Sequence, residues 1–152
     1  LRYLKGGETS NRINSINPKT SKAMKLEIEL NREVLEDVFV TAIEGGSNYW
    51  YFLSRDAVKR IRQAVPREVD EVLSTAAFKA VYDHGVALPI NDVEDEEEIV
   101  GWISLETMQE RLQALLNSGN KWALEAHMEE NGDADSADIV FQYLAMGEVV
   151  YG

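Results

Sequence analysis

The sequence predicts a helix-rich, single-domain α+β fold with a small sheet, and three observations lead there. Apolar residues recur at three- and four-residue steps in several windows closed by glycine or proline. Short β-branched or alternating runs fall between those windows, without a regular strand–helix–strand alternation. The length of 152 residues, 45% of them hydrophobic, suits one core and is short for two.

The elements follow in chain order. Residues 1–23 lack helical or strand periodicity and read as a leader, either non-native or an arm, with Met24 as the expected native start of a 24–152 domain. Leu26, Ile28 and Leu30 alternate with charged residues, which predicts a half-buried strand over 25–30. Asn31 then caps a helix whose Val34, Leu35, Val38, Phe39, Ala42 and Ile43 share one face, with Gly45 and Gly46 as its stop. The aromatic run 49–53 is a strand or an extended packing segment.

Ser54 is the expected N-cap of a helix reaching about Val65, with Val58, Ile61 and Val65 inward. Beyond Pro66, helical spacing from Val69 and Val72 to Ala80 and Val81 predicts a helix over 67–84, stopped by Gly85. Two strands, 86–90 and 99–103, flank a loop with six acids in the seven positions 92–98, a solvated connection because like charges repel. Ser104 caps a helix with Leu105, Met108, Leu112, Leu115 and Leu116 inward, and a less cleanly patterned helix covers 121–130. Asp133 or Asp135 caps the last helix, which buries Ala137, Val140, Phe141, Leu144 and Ala145 and ends at Gly147. Residues 148–151 are the expected terminal strand.

Charge and composition remove whole classes of function. The chain carries 15 Lys and Arg against 27 Asp and Glu, a formal net charge of −12. Residues 1–23 hold five of those bases (Arg2, Lys5, Arg12, Lys19, Lys22) and one acid (Glu8), so ten bases and 26 acids, net −16, remain for residues 24–152. Such a body repels phosphate backbones, which disfavours direct duplex binding and suits a basic protein partner. Without cysteine there is no disulfide, thiol nucleophile or cysteine-held zinc. No stretch has the apolar length of a signal peptide core or a membrane span.

Catalytic and metal motifs fail on spacing. Gly45-Gly46-Ser47-Asn48-Tyr49 has tyrosine where a nucleophile elbow needs glycine, and follows a helix instead of a strand. Gly119-Asn120-Lys121-Trp122 lacks the paired glycine spacing and the hydroxyl of a phosphate loop. The stretch from Asn131 has Ser136 and Gln142 where a calcium loop needs glycine and glutamate. His84 and His127 lie in no H-E-x-x-H pattern; His84 suits a helix C-terminus, and His127 a surface or helix-contact position. No catalytic residue, metal or cofactor is assigned.

Glu44 to Trp50 is the one segment with chemistry to offer. Its glycines permit close approach, Ser47 and Asn48 supply hydrogen-bonding groups, Tyr49 and Trp50 supply stacking faces, and Glu44 is a carboxylate at the unfavourable end of a helix dipole. These five residues are the candidate ligand-binding site. The structural alternative makes the glycines a helix C-cap, with Trp50 and Phe52 in the core.

Glu44-Gly45-Gly46-Ser47-Asn48-Tyr49-Trp50 and the ending from Asp135 through Gln142-Tyr143-Leu144-Ala145-Met146-Gly147-Glu148-Val149-Val150-Tyr151-Gly152 also carry a resemblance. Together they look like a group of small uncharacterised proteins of bacteriophages and integrated mobile elements, over most of residues 24–152. The resemblance implies an accessory product made in the cytoplasm of a bacterial host cell, and implies no activity. The sequence-based expectation is therefore a non-enzymatic acidic interaction protein that binds a protein partner, with a basic one favoured by charge. The alternative is a small-ligand binder or enzyme with its pocket at 44–50.

Overall fold

The computed structural model describes residues 28–152; the leader, Met24 and residues 25–27 of the expected first strand lie outside the described residues. Ile28, Glu29 and Leu30 form no strand. The helical stripes become α1 (Arg32–Thr41), α2 (Arg55–Ala64), α3 (Leu73–Tyr82), α4 (Leu105–Leu116), α5 (Lys121–Met128) and α6 (Ala134–Met146). Three short strands, β1 (Tyr51–Phe52), β2 (Leu88–Asp92) and β3 (Ile99–Ile103), form one antiparallel sheet in that order. The helix-rich α+β expectation describes this architecture.

α6 is the central element. Nine of its thirteen residues are buried, and it packs on α1, α4, α5 and β3. Phe141 on α6 meets Phe39 of α1 edge-on, and Phe39 meets Phe78 of α3 in the same way, with ring centroids 6.1 and 5.4 Å apart. Edge-to-face rings add directional attraction to apolar burial. Arg32 ties the start of α1 to the end of α3 by pairing with Asp83 and lying over the Phe78 and Tyr82 rings.

In the sheet, Tyr51 and Phe52 pair with Asp92 and Asn91, and Leu88 and Ile90 pair with Ile103 and Gly101. An irregularity between Ile90 and Asn91 shifts the register before the acidic loop.

Beyond the first strand, the structure departs from the sequence reading in four further places. The helix expected over 67–84 starts only at Leu73, because Asp70 captures the chain before it. Its carboxylate accepts from Val72 N–H and the Thr75 hydroxyl and pairs with Lys79, while Arg62 donates to the carbonyls of Asp70 and Glu71. Side-chain bonds of this kind offer the backbone an alternative to helix, and Val69 and Val72 are left exposed. The strand expected at 86–90 lies two residues later, since Val86 N–H still bonds to Ala80 C=O as part of the α3 ending. Leu105, expected inward, is exposed at the first position of α4. Residues 148–151 form no strand, because a side chain takes their backbone groups.

Candidate functional site

The inner face of α6 carries two polar residues one turn apart, Asp138 and Gln142, both buried among apolar neighbours. A buried carboxylate needs donors, and Asp138 has four. Its Oδ1 accepts from Ser47 Oγ and Trp50 Nε1, each at 2.7 Å; its Oδ2 accepts from Tyr49 Oη at 2.6 Å and Gln142 Nε2 at 3.1 Å. All four donors are neutral, so hydrogen bonds rather than an ion pair hold this carboxylate.

Three of those donors come from one turn, which the preceding chain places. α1 ends in a single π turn, Ala42–Gly46, that packs against the start of α6. A Cβ on Gly46 would lie 2.8 Å from the Ala134 carbonyl oxygen, so only glycine allows this approach. The Ser47 carbonyl accepts from the N–H groups of Trp50 and Tyr51, and the Tyr51 hydroxyl donates to Ile43 C=O at 2.7 Å. Burial pushes the Tyr51 phenol up. The Tyr49 phenol is pushed up to about 12, first by loss of solvent and then by its bond to Asp138.

Gln142 extends the cluster to Val150 and Tyr151. Its Oε1 accepts from the N–H groups of Val150 and Tyr151 at 2.8 and 2.9 Å, and its Nε2 donates to Tyr151 C=O at 3.1 Å. The Tyr151 ring stacks on Trp50, centroids 5.0 Å apart and planes 10° from parallel. The acidic loop lies alongside: Val93 N–H donates to Trp50 C=O, and Asn91 Nδ2 donates to Glu96 C=O. The Tyr151 phenol is pushed up by loss of solvent and then by the negative charges of Asp92 and Glu98. The outcome is an aromatic surface, half-exposed at Tyr49, bordered by Asp92, Glu94, Glu98 and Asp135.

A second polar cluster sits at the other side of the α6 N-terminus. His127 Nδ1 lies 2.8 Å from Asp37 Oδ2 of α1, and its Nε2 lies 3.0 Å from Ser136 Oγ. Ser136 also closes a capping box with Asp133: Ser136 N–H donates to the Asp133 carboxylate, and Asp133 N–H donates to Ser136 Oγ. These bonds hold the Asp133 carboxyl below its ordinary range. A Cβ on Gly132 would fall 2.1 Å from the imidazole, so glycine lets the chain cross the ring. Beside His127 opens a cavity of about 520 Å³, bordered by Glu33 and Asp37 of α1 and by Glu130.

The order Asp37, His127, Ser136 has the contacts of a hydrolytic triad with the access reversed. Ser136 is 1% exposed and its hydroxyl is committed to the cap, whereas the Asp37 side chain is 58% exposed. A nucleophile must reach its substrate and an orienting carboxylate is normally the buried partner, so this arrangement locks a helix terminus. Among the described residues, no group of three His, Asp or Glu is placed to hold a metal ion, and no helix is long and apolar enough to cross a membrane.

Of the residues singled out from sequence, Ser47, Tyr49 and Trp50 converge on Asp138; Glu44 accepts from Ser74 Oγ on α3 at 2.6 Å; and Asn48 is exposed on the turn. None of these five residues lines the cavity beside His127. Sequence reasoning did not single out Asp138, Gln142, Asp37 or Ser136. The signal for the first two was available: polar residues four apart, within a stripe otherwise apolar, are candidates for one buried network. Comparison with protein-family models, curated proteins and solved structures finds no match to this chain.

Proposed function

We propose that the protein is a non-enzymatic accessory protein, of the kind phages and mobile elements encode, that works by docking an acidic face onto a basic protein partner. The observation that carries this reading is the placement of the acidic loop. Residues 92–98 are held beside the Trp50 main chain, with Val93 N–H donating to Trp50 C=O and Glu94 to Glu98 exposed. Carboxylates beside aromatic rings suit lysine and arginine, through charge and through cation–π attraction. Net −16 on residues 24–152 adds long-range attraction to the same partner.

The small-ligand reading loses ground because Ser47, Tyr49 and Trp50 spend their donors on Asp138. The hydrolytic reading loses ground because Ser136 is buried within its cap.

The test is capture from bacterial lysate with the full chain and with a variant neutralised at Glu94, Glu96, Glu97 and Glu98 by glutamine. The expected outcome is a stoichiometric basic protein that the wild type retains at low salt, loses as salt rises beyond ~0.1 M, where the Debye length is about 10 Å, and that the variant does not retain. Equal capture by both chains, or no basic partner at any salt, refutes the proposal.

A further inference from the structure

The segment after α6 is attached in an unusual way. Beyond Gly147, the backbone groups of Val150 and Tyr151 bond to the Gln142 side-chain amide, and among the described residues none of 148–152 bonds to another backbone group. One amide thus plays the part of a neighbouring strand, accepting two N–H bonds and returning one to a carbonyl. The remaining anchor is the Tyr151 ring on Trp50. Val149 and Val150 stay 39% and 54% exposed, so the segment buries little else.

Such a seat reads main chain through Gln142 and one aromatic ring through Trp50. It makes no demand on the other side chains, and any extended segment with an aromatic residue at the right place satisfies it. Its surroundings do discriminate, because Asp92, Glu94 and Glu98 act on Tyr151 and Asp135 acts on Tyr49. The present occupant, Gly147-Glu148-Val149-Val150-Tyr151-Gly152, brings one more acid and no base. A segment bearing lysine or arginine beside its aromatic ring gains attraction where the chain's own segment gains none.

We propose that residues 148–152 are a built-in occupant of a peptide-docking seat formed by Gln142, Trp50 and the acidic loop, and that the basic partner delivers an extended aromatic segment that replaces them. This rests on the acidic-docking reading above and adds the place and the form of the contact. Release of the segment uncovers the Gln142 amide and one face of Trp50, while Asp138 keeps its bonds to Ser47, Tyr49 and Trp50.

The experiment uses the full chain, isotope-labelled, and follows amide exchange at Val150 and Tyr151 against the α6 amides from Val140 to Leu144. Two peptides spanning residues 147–152 serve as probes, one carrying E148K and V149K, the other the same changes plus Y151A. In the free protein the Val150 and Tyr151 amides should exchange by local opening, much faster than those of α6. The basic aromatic peptide should bind and free both amides while α6 keeps its protection. The Y151A peptide should bind at least tenfold more weakly. The full-length Tyr151→Ala variant, whose internal competitor is weakened, should take up the basic aromatic peptide about tenfold more tightly than wild type does.

If both peptides bind equally and the Val150 and Tyr151 amides stay protected, the seat proposal is overturned while the acidic face stands. If neither peptide binds at low salt, both proposals fall. If the two amides exchange only together with α6, the segment is part of the core and not an occupant; that wild-type result decides the matter even if the variant does not fold.

Discussion

Two polar clusters flank the first half of α6 and solve one problem in opposite ways. In the first, the carboxylate of Asp138 is buried with three of its donors, and only Tyr49 reaches the surface, 53% exposed. In the second, the ring of His127 is buried and its carboxylate, Asp37, is mostly in solvent. The first arrangement makes the network indispensable, because three groups on the 47–50 turn and one on α6 depend on a single acceptor. The second distributes the load, since water can serve Asp37 and the capping box can serve Ser136. Burial of the charged member therefore marks which network the fold depends on.

Removal of the acceptor should separate the two most sharply. Asp138→Ala leaves the buried donors of Ser47 and Trp50 with no partner and takes one acceptor from Gln142, and the expected loss is about 3–5 kcal/mol in urea unfolding. His127→Ala costs less, about 1–3 kcal/mol, as one capped hydroxyl and one exposed carboxylate lose a partner. Tyr151→Ala should cost about 1–2 kcal/mol through the lost stacking and burial on Trp50, and should raise amide exchange at Val150 before it changes α6. Asp37→Asn should cost under about 1 kcal/mol, as befits a pair with one partner in solvent. A loss from Asp37→Asn as large as that from Asp138→Ala would contradict the comparison.

The pH limits of stability should also divide between the clusters. The folded Tyr49 phenol lies near 12 against an ordinary 10.0, so the fold favours its protonated form. Its contribution is complete below about pH 10 and disappears as pH rises through 12, and Tyr49→Phe should make that alkaline limb shallower, Tyr51 and Tyr151 supplying the rest. The Asp133 carboxyl is shifted the other way, below its ordinary 3.8. Its contribution is complete above that value and is lost as pH falls through the folded one. Ser136→Ala, which removes the hydroxyl bond and keeps the backbone N–H bond to Asp133, should reduce this acid limb only in part and leave the alkaline limb unchanged.

Much of the fold is legible in the chain because local patterns and the core agree. The stripe from Leu35 to Phe39, the Ser54 cap accepting from Ala57 N–H, the Asp133 cap and the left-handed stop at Gly147 all stand where residue types alone place them. The misreading at 67–72 has a definite cause: valine spacing suggests helix, while Asp70 and Arg62 provide a competing set of bonds, those of Arg62 reaching carbonyls eight and nine positions away. Similarly, Gln142 substitutes for a strand partner at Val150, which no alternation in residues 148–151 reveals.

Within the candidate site, the sequence supplied the donors and withheld the acceptor. Ser47, Tyr49 and Trp50 declare hydrogen-bonding and stacking capacity by residue type, and the acidic run at 92–98 declares its charge. That these donors turn inward onto Asp138, some ninety residues later, depends on α6 running beside the π turn, a relation set by the shape of the whole core. Composition and periodicity thus determine which groups the protein owns and which helical faces are buried. Only the tertiary structure decides which groups meet, because hydrogen bonds act over about 3 Å and the chain brings distant residues within that range only once the core has packed.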